Sequence, residues 1–112
     1  MTRAMASEPL LPGTLEMLIL KTLSLESMHG WGIMERIEQM SRGVFTLNQG
    51  SLYPALERAQ RAGYVKSEWR VTENSRRARY YLITRSGLAR LEAEHRAWAR
   101  SSDAVNLILR SV

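Results

Sequence analysis

The sequence contains no cysteine among its 112 residues. That excludes disulfides and thiolate metal sites, and with them a disulfide-stapled secreted scaffold. It also lacks an apolar run long enough to cross a bilayer, because the most apolar stretch, Leu15 to Leu25, is interrupted by Lys21. The first residues, "MTRAMASEPLLPG", lack the apolar segment of a signal peptide, so the expected location is the cytoplasm and no membrane partner is expected. His29 and His95 are the only histidines, and neither has a carboxylate or a second histidine at metal-ligand spacing. No nucleophile–base–orienter set and no phosphate-cradling glycine loop stand out. The chain therefore reads as non-enzymatic, with no metal and no cofactor. Internal repeats and low-complexity tracts are missing too.

What is present suits one small domain. Apolar residues make up 45% and charged residues 24%, ordinary values for a globular protein. A domain of this size buries a limited core, so self-association would help it. The net charge of +5 is unevenly spread. Up to Leu47 four Lys or Arg face five Glu; from Asn48 onward twelve Lys or Arg, eleven of them Arg, face six Asp or Glu. A basic half points to a polyanionic partner, with nucleic acid the first candidate and a solvated arginine surface the bland alternative.

Periodicity sets out the elements. Residues 1–11 show no period and read as a loose arm. Pro12, Gly13 and Thr14 form a helix start signal, and Leu15, Leu18, Ile19, Thr22 and Leu23 give a first helix to about Leu25. "ESMHGWG" reads as a turn that includes His29. A second helix follows with Ile33, Met34, Ile37 and Met40 on its buried side, ended by Ser41, Arg42 and Gly43. Val44 to Leu47 is a short extended link.

The next stretch, "LNQGSLYPALERAQRAG", repeats Leu52, Leu56, Ala59 and Gly63 at helical spacing, with Gly63 also placed to close the helix. "YVKSEWRV" reads as a strand with Val65, Ser67, Trp69 and Val71 on one face, "TENSRR" as a turn, and "ARYYLIT" as the returning strand. From Arg85 to about Leu109 a long helix carries Leu88, Leu91, His95, Trp98, Ser102, Val105 and Leu109 at alternating steps of three and four. That heptad seam needs a partner chain to cover it. "SSD" at Ser101 to Asp103 offers an alternative, a break and a new cap.

Three helices, a β-hairpin and a long helix make an α+β, mostly α chain in the order of a winged helix-turn-helix with a long C-terminal dimerisation helix. The expected division is an arm over 1–11, a winged-helix domain over 12–84 and a dimerisation helix over 85–112. In such folds the later helix enters the major groove with its N-terminal residues at the base edges. Gly50 and Pro54, which each cost a helix stability, fall on the outer face of that third helix. Gln49 and Ser51 at its tip can donate to phosphates or base edges, and Pro54 offers a flat apolar surface to a thymine methyl. Tyr53 flanks the same face, with a half-buried core role as its alternative. Either Asn48 or Ser51 caps the helix; Ser51 would place Pro54 in the first turn, where its missing N–H costs little.

"HGWGI" (29–33), "NQGSLYPALERAQRAGYVKSEW" (48–69) and "RYYLITRSG" (79–87) together resemble the PadR family of bacterial transcriptional regulators, in its short form with a single C-terminal helix. The resemblance covers roughly residues 11 to 109. It implies a homodimer that binds double-stranded DNA, reads an inverted repeat with its third helix, touches backbone or minor groove with its wing, and represses transcription. It puts Gln49, Ser51, Tyr53 and Pro54 on the reading tip and Arg76, Arg77 and Arg79 on the wing. Trp31 stands where the family often has tyrosine, so an indole N–H can still donate to phosphate while a phenol's acceptor role is lost.

The seam residues Leu88, Leu91, His95, Trp98, Val105 and Leu109 are the expected dimer contacts, His95 as a polar register-setter. Trp98 reads first as a packing anchor and second as the wall of a pocket for a small aromatic effector, an idea the family supports. The runner-up function is a winged-helix protein-interaction module without DNA contact. Acidic residues on the outer face of the third helix would favour it, and Glu57 alone is there.

Overall fold

The computed structural model describes residue 10 and residues 13 to 112. Apart from Leu10, the expected N-terminal arm lies outside the described residues, as does Pro12 of the helix start signal. Four helices and three short strands follow one another as α1 (Thr14–Leu25), β1 (Met28–His29), α2 (Gly30–Met40), α3 (Gln49–Arg61), β2 (Val65–Val71), β3 (Arg77–Ile83) and α4 (Arg85–Leu109). The strands form one antiparallel sheet in the order β1-β3-β2.

α1 sits at the centre, against α2, α3, α4 and β3. This explains why Leu20, outside the expected apolar stripe, is as fully buried as Ile19: a helix covered on more than one side needs more than one stripe. Thr22 is buried too, and its hydroxyl donates to the Leu18 carbonyl at 2.7 Å, which removes the cost of an unpaired polar group. Ile33, Met34 and Ile37 of α2 close the core from a second side. Met40, expected on that buried side, is exposed: it is the last residue of α2, where the packing partners run out.

α3 contributes Leu52, Ala55, Leu56 and Ala59 to the core. Gly63 does not share that face. It is exposed, lies beyond the helix end and has φ +84°, the left-handed conformation that glycine adopts at a helix C-terminus.

The "ESMHGWG" stretch corrects the sequence reading. Met28 and His29 form a strand rather than a turn and pair with Tyr81 and Tyr80 of β3. Two residues carry no periodicity, so only the free edge of β3 reveals them. His29 also caps α2, its Nδ1 accepting from the Gly32 N–H at 3.0 Å. Trp31 thus belongs to the first turn of α2 rather than to a loop.

Thr84 is the joint between wing and α4. Its hydroxyl donates to the Gly63 carbonyl at 2.6 Å and accepts from the Gly87 N–H at 3.0 Å, while its own N–H donates to the Tyr64 carbonyl at 3.0 Å. Gly87 is buried against the Tyr64 backbone, where a Cβ would collide, so this close approach requires glycine. α4 then runs unbroken through Ser101–Asp103, so the alternative of a second cap is excluded.

Candidate nucleic-acid interface

The tip of α3 is built by Asn48. Its Oδ1 accepts from the Ser51 N–H at 2.9 Å and its carbonyl accepts from the Leu52 N–H at 3.0 Å. Asn48 rather than Ser51 is therefore the cap, and the Ser51 side chain is left exposed on the outer face. Pro54 accordingly lies past the first turn, where its missing N–H leaves the Gly50 carbonyl without its helical donor. Both residues are exposed, so the defect faces away from the core.

Tyr53 turns out to be both packed and available. Its ring end lies against Gly30, where a Cβ would collide with the phenol hydroxyl, yet 41% of the residue remains exposed. Gly30 thus brings α2 and α3 together closely enough to set Tyr53 beside Trp31, which is 60% exposed. A groove of about 380 Å³ runs from His29, Trp31 and Tyr53 to Arg76, Arg77 and Arg79 on the wing. A second, of about 560 Å³, continues from Tyr53 and Arg79 along Glu57, Gln60 and Arg61 of α3. Tyr81 forms the floor of both; burial pushes its phenol above the usual value, with Arg79 opposing that shift. The phenol therefore stays protonated near neutrality.

The wing supplies the charge. Ser75, at φ +60°, turns the chain between Thr72 and Arg76, and the Thr72 N–H donates to the Arg76 carbonyl at 2.7 Å. Arg76, Arg77 and Arg79 are exposed there. Arg70 behaves differently. It is held on the opposite face by Glu68 at 2.6 Å and Ser27 at 3.3 Å, and stacks over Tyr80. On α3, Glu57 is paired with Arg61 at 3.4 Å, so the single acidic residue expected on the outer face is neutralised locally.

Of the residues expected on tip and wing, Tyr53, Arg76, Arg77 and Arg79 line one groove with Trp31, whereas Gln49, Ser51 and Pro54 are exposed on α3 outside its lining. The α4 residues do not join them. Leu91 packs on the core of its own chain, whereas Leu88, Trp98, Val105 and Leu109 are exposed. His95 is exposed as well. Trp98 lines a separate hollow of about 350 Å³ between the start of α1 and α4.

Beside that hollow lies a cluster that charge counting and spacing gave no sign of. Arg90 Nε donates to Glu16 Oε1 at 3.1 Å and to Glu94 Oε2 at 2.9 Å. Glu94 Oε1 is buried without a partner among the described residues. Burial, then the neighbouring Glu16 carboxyl, pushes Glu94 up to about 7. Glu16 is held below its ordinary value, chiefly by its hydrogen bond with Glu94. With its pKa raised, the Glu94 carboxyl can hold a proton near neutrality and offer it to Glu16.

Among the described residues no three His, Asp or Glu stand close enough together to hold a metal ion, and no helix is long and apolar enough to cross a membrane.

Known proteins share this architecture. Residues 19–93 match the family described as "Transcriptional regulator PadR-like family". A PadR-like transcriptional regulator of Bacillus cereus is 28% identical; the superposition covers 89% of this chain and 95% of that one with a TM-score of 0.77. A PadR family transcriptional regulator of Eggerthella lenta is also 28% identical, with coverage of 89% and 85% and a TM-score of 0.78. A transcriptional regulator of Clostridium thermocellum, 24% identical with coverage of 88% and 95%, has a TM-score of 0.80 and establishes the fold alone.

Proposed function

The chain belongs to the PadR-like family of transcriptional regulators, not to a family of enzymes, and on that premise we propose that it binds double-stranded DNA as a homodimer and represses transcription from an inverted-repeat operator. α3 enters the major groove with Gln49, Ser51, Tyr53 and Pro54 at the bases, and Arg76, Arg77 and Arg79 bring the wing to the backbone or minor groove. Trp31 donates its indole N–H to a phosphate. The observation that carries this is the groove in which Tyr53 of α3 and Trp31, both exposed, meet Arg76, Arg77 and Arg79 of the wing. Residues 12–84 then read DNA, residues 85–112 join the two protomers, and the site of action is the cytoplasm.

Dimerisation is supported by α4, whose Leu88, Trp98, Val105 and Leu109 are exposed on a 25-residue helix that its own domain leaves largely uncovered. An isolated helix with such a seam is poorly stable in water, and a second copy covers it symmetrically. The hollow beside Trp98 supports release by a small flat aromatic effector. Such an effector must bind free and DNA-bound dimer with different affinity.

Fluorescence anisotropy with duplexes from upstream of the protein's own gene tests the proposal. Binding is expected to weaken steeply with salt, by ~0.9 in log K per log salt for each phosphate neutralised. Sedimentation of the free protein is expected to give a dimer. No binding to any upstream fragment, or binding indifferent to salt, would sink the proposal.

A further inference from the structure

Trp69 has no place in the interface as described, yet it stands 57% exposed on the wing. Two guanidinium groups lie over its ring. The Arg77 guanidinium lies 4.9 Å from the ring centroid and the Arg79 guanidinium 5.8 Å. The register explains this. Arg79 is directly opposite Trp69 across the β2–β3 ladder, and Arg77 pairs two positions further on, so all three side chains project from the same face. Arg79 has a second anchor, since its Nε donates to Ser67 Oγ at 3.0 Å and Ser67 Oγ donates to Gln60 Oε1 of α3 at 3.3 Å. A continuous chain of contacts thus links α3 through Ser67 and Arg79 to Trp69 and Arg77.

We infer that Trp69 is a positioning residue for the DNA interface: its ring holds Arg77 and Arg79 in one orientation, and Ser67 and Gln60 fix that pair relative to the recognition helix. The inference rests on the DNA-binding proposal above. An arginine free in solvent loses its side-chain freedom when it meets a phosphate. One already held on an aromatic face loses less, and its fork of N–H groups points where the ring directs it. Tethering to α3 adds a second effect, because it sets the distance between the wing contacts and the bases that α3 reads. Trp69 itself needs no contact with a base to affect affinity.

The test has two arms. Without DNA, side-chain NMR of the full-length protein is expected to show the Arg77 and Arg79 Hδ and Hε signals displaced by the ring current, and Trp69→Leu is expected to abolish the displacement while Trp69→Phe retains part of it. Undisplaced arginine signals in the wild type overturn the inference even if no operator is ever found. With DNA, Trp69→Leu is expected to weaken binding roughly tenfold in the wild-type background and less than about twofold in Arg77→Ala/Arg79→Ala, with the melting temperature essentially unchanged. An equal loss in both backgrounds would mean that Trp69 touches DNA directly, and it refutes the positioning role, as does no loss at all. Failure of the wild type to bind DNA strikes the proposed function instead, and the NMR arm still decides what Trp69 does to the arginines.

Discussion

Gly30→Ala is the sharpest probe of the reading tip. A methyl group at residue 30 would lie 2.7 Å from Tyr53 Cζ and 2.9 Å from Cε1, and would collide with the hydroxyl. Ordinary contact begins near 3.4 Å, so the ring end must retreat by about 0.7 Å or more. The obstacle is the far end of a side chain with two torsions, so the ring swings outward and the helices stay. Overpacking of this kind costs ~1–3 kcal/mol where the neighbours are fixed, and the low end applies here. Replacing glycine by alanine in a helix returns roughly 0.5–1 kcal/mol. The net loss of stability is expected to stay below ~1 kcal/mol, a fall in melting temperature of no more than about 4–8 °C. DNA binding is expected to suffer more. Tyr53 leaves its seat, and the loss of one well-placed contact at the base edges is worth ~1–3 kcal/mol, roughly tenfold or more in affinity. Anisotropy with an operator duplex, beside urea denaturation of the same sample, separates the two effects. Wild-type affinity at wild-type stability would refute the idea that Gly30 seats Tyr53 for contact. A loss of more than ~3 kcal/mol would show that the helices rather than the ring give way.

Three further outcomes follow from the same geometry. Glu94 titrates in the fold at about 7, above its ordinary 4.5, so its contribution is fully present below pH ~4.5 and is lost as pH rises through about 7; Glu16, shifted downward, acts in the opposite sense below 4.5. The wild type is therefore expected to lose stability between pH 5 and 8, on the order of 1–2 kcal/mol once solvent screening is allowed for, Glu94→Gln is expected to flatten that slope in urea titrations at fixed protein concentration, and parallel slopes would count against a proton held on Glu94. Gly87→Ala drives a Cβ into the Tyr64 backbone, which cannot swing aside, so a loss of ~2–3 kcal/mol is expected by denaturation, and a change under ~0.5 kcal/mol would contradict the packing of α4 on the wing. Asn48→Ala removes the cap of α3 and is expected to cost ~0.5–2 kcal/mol, with faster amide exchange at Ser51 as its local signature; unchanged exchange there would return the cap to another residue.

The repeat of apolar residues by itself determined α1, α2, α3 and α4, and the turn chemistry of "TENSRR" separated β2 from β3, because these signals are local and recur along the chain. The order of those elements pointed to a winged helix and the helical spacing to the α3 tip, and the family motifs added the wing arginines and Trp31. Other features needed the tertiary structure. Asn48 and Ser51 were equally plausible caps by type, and only backbone geometry chose Asn48, which leaves Pro54 beyond the first turn with its flaw turned outward. Strand β1 has two residues and no period, and exists because β3 had a free edge. The buried side of Leu20, the Glu16–Arg90–Glu94 cluster and the clasp of Trp69 on two arginines join residues far apart in sequence or paired across a ladder. Periodicity reports which face of an element is apolar. Which element meets that face, and which side chains then share a proton or a ring, is settled when the elements pack.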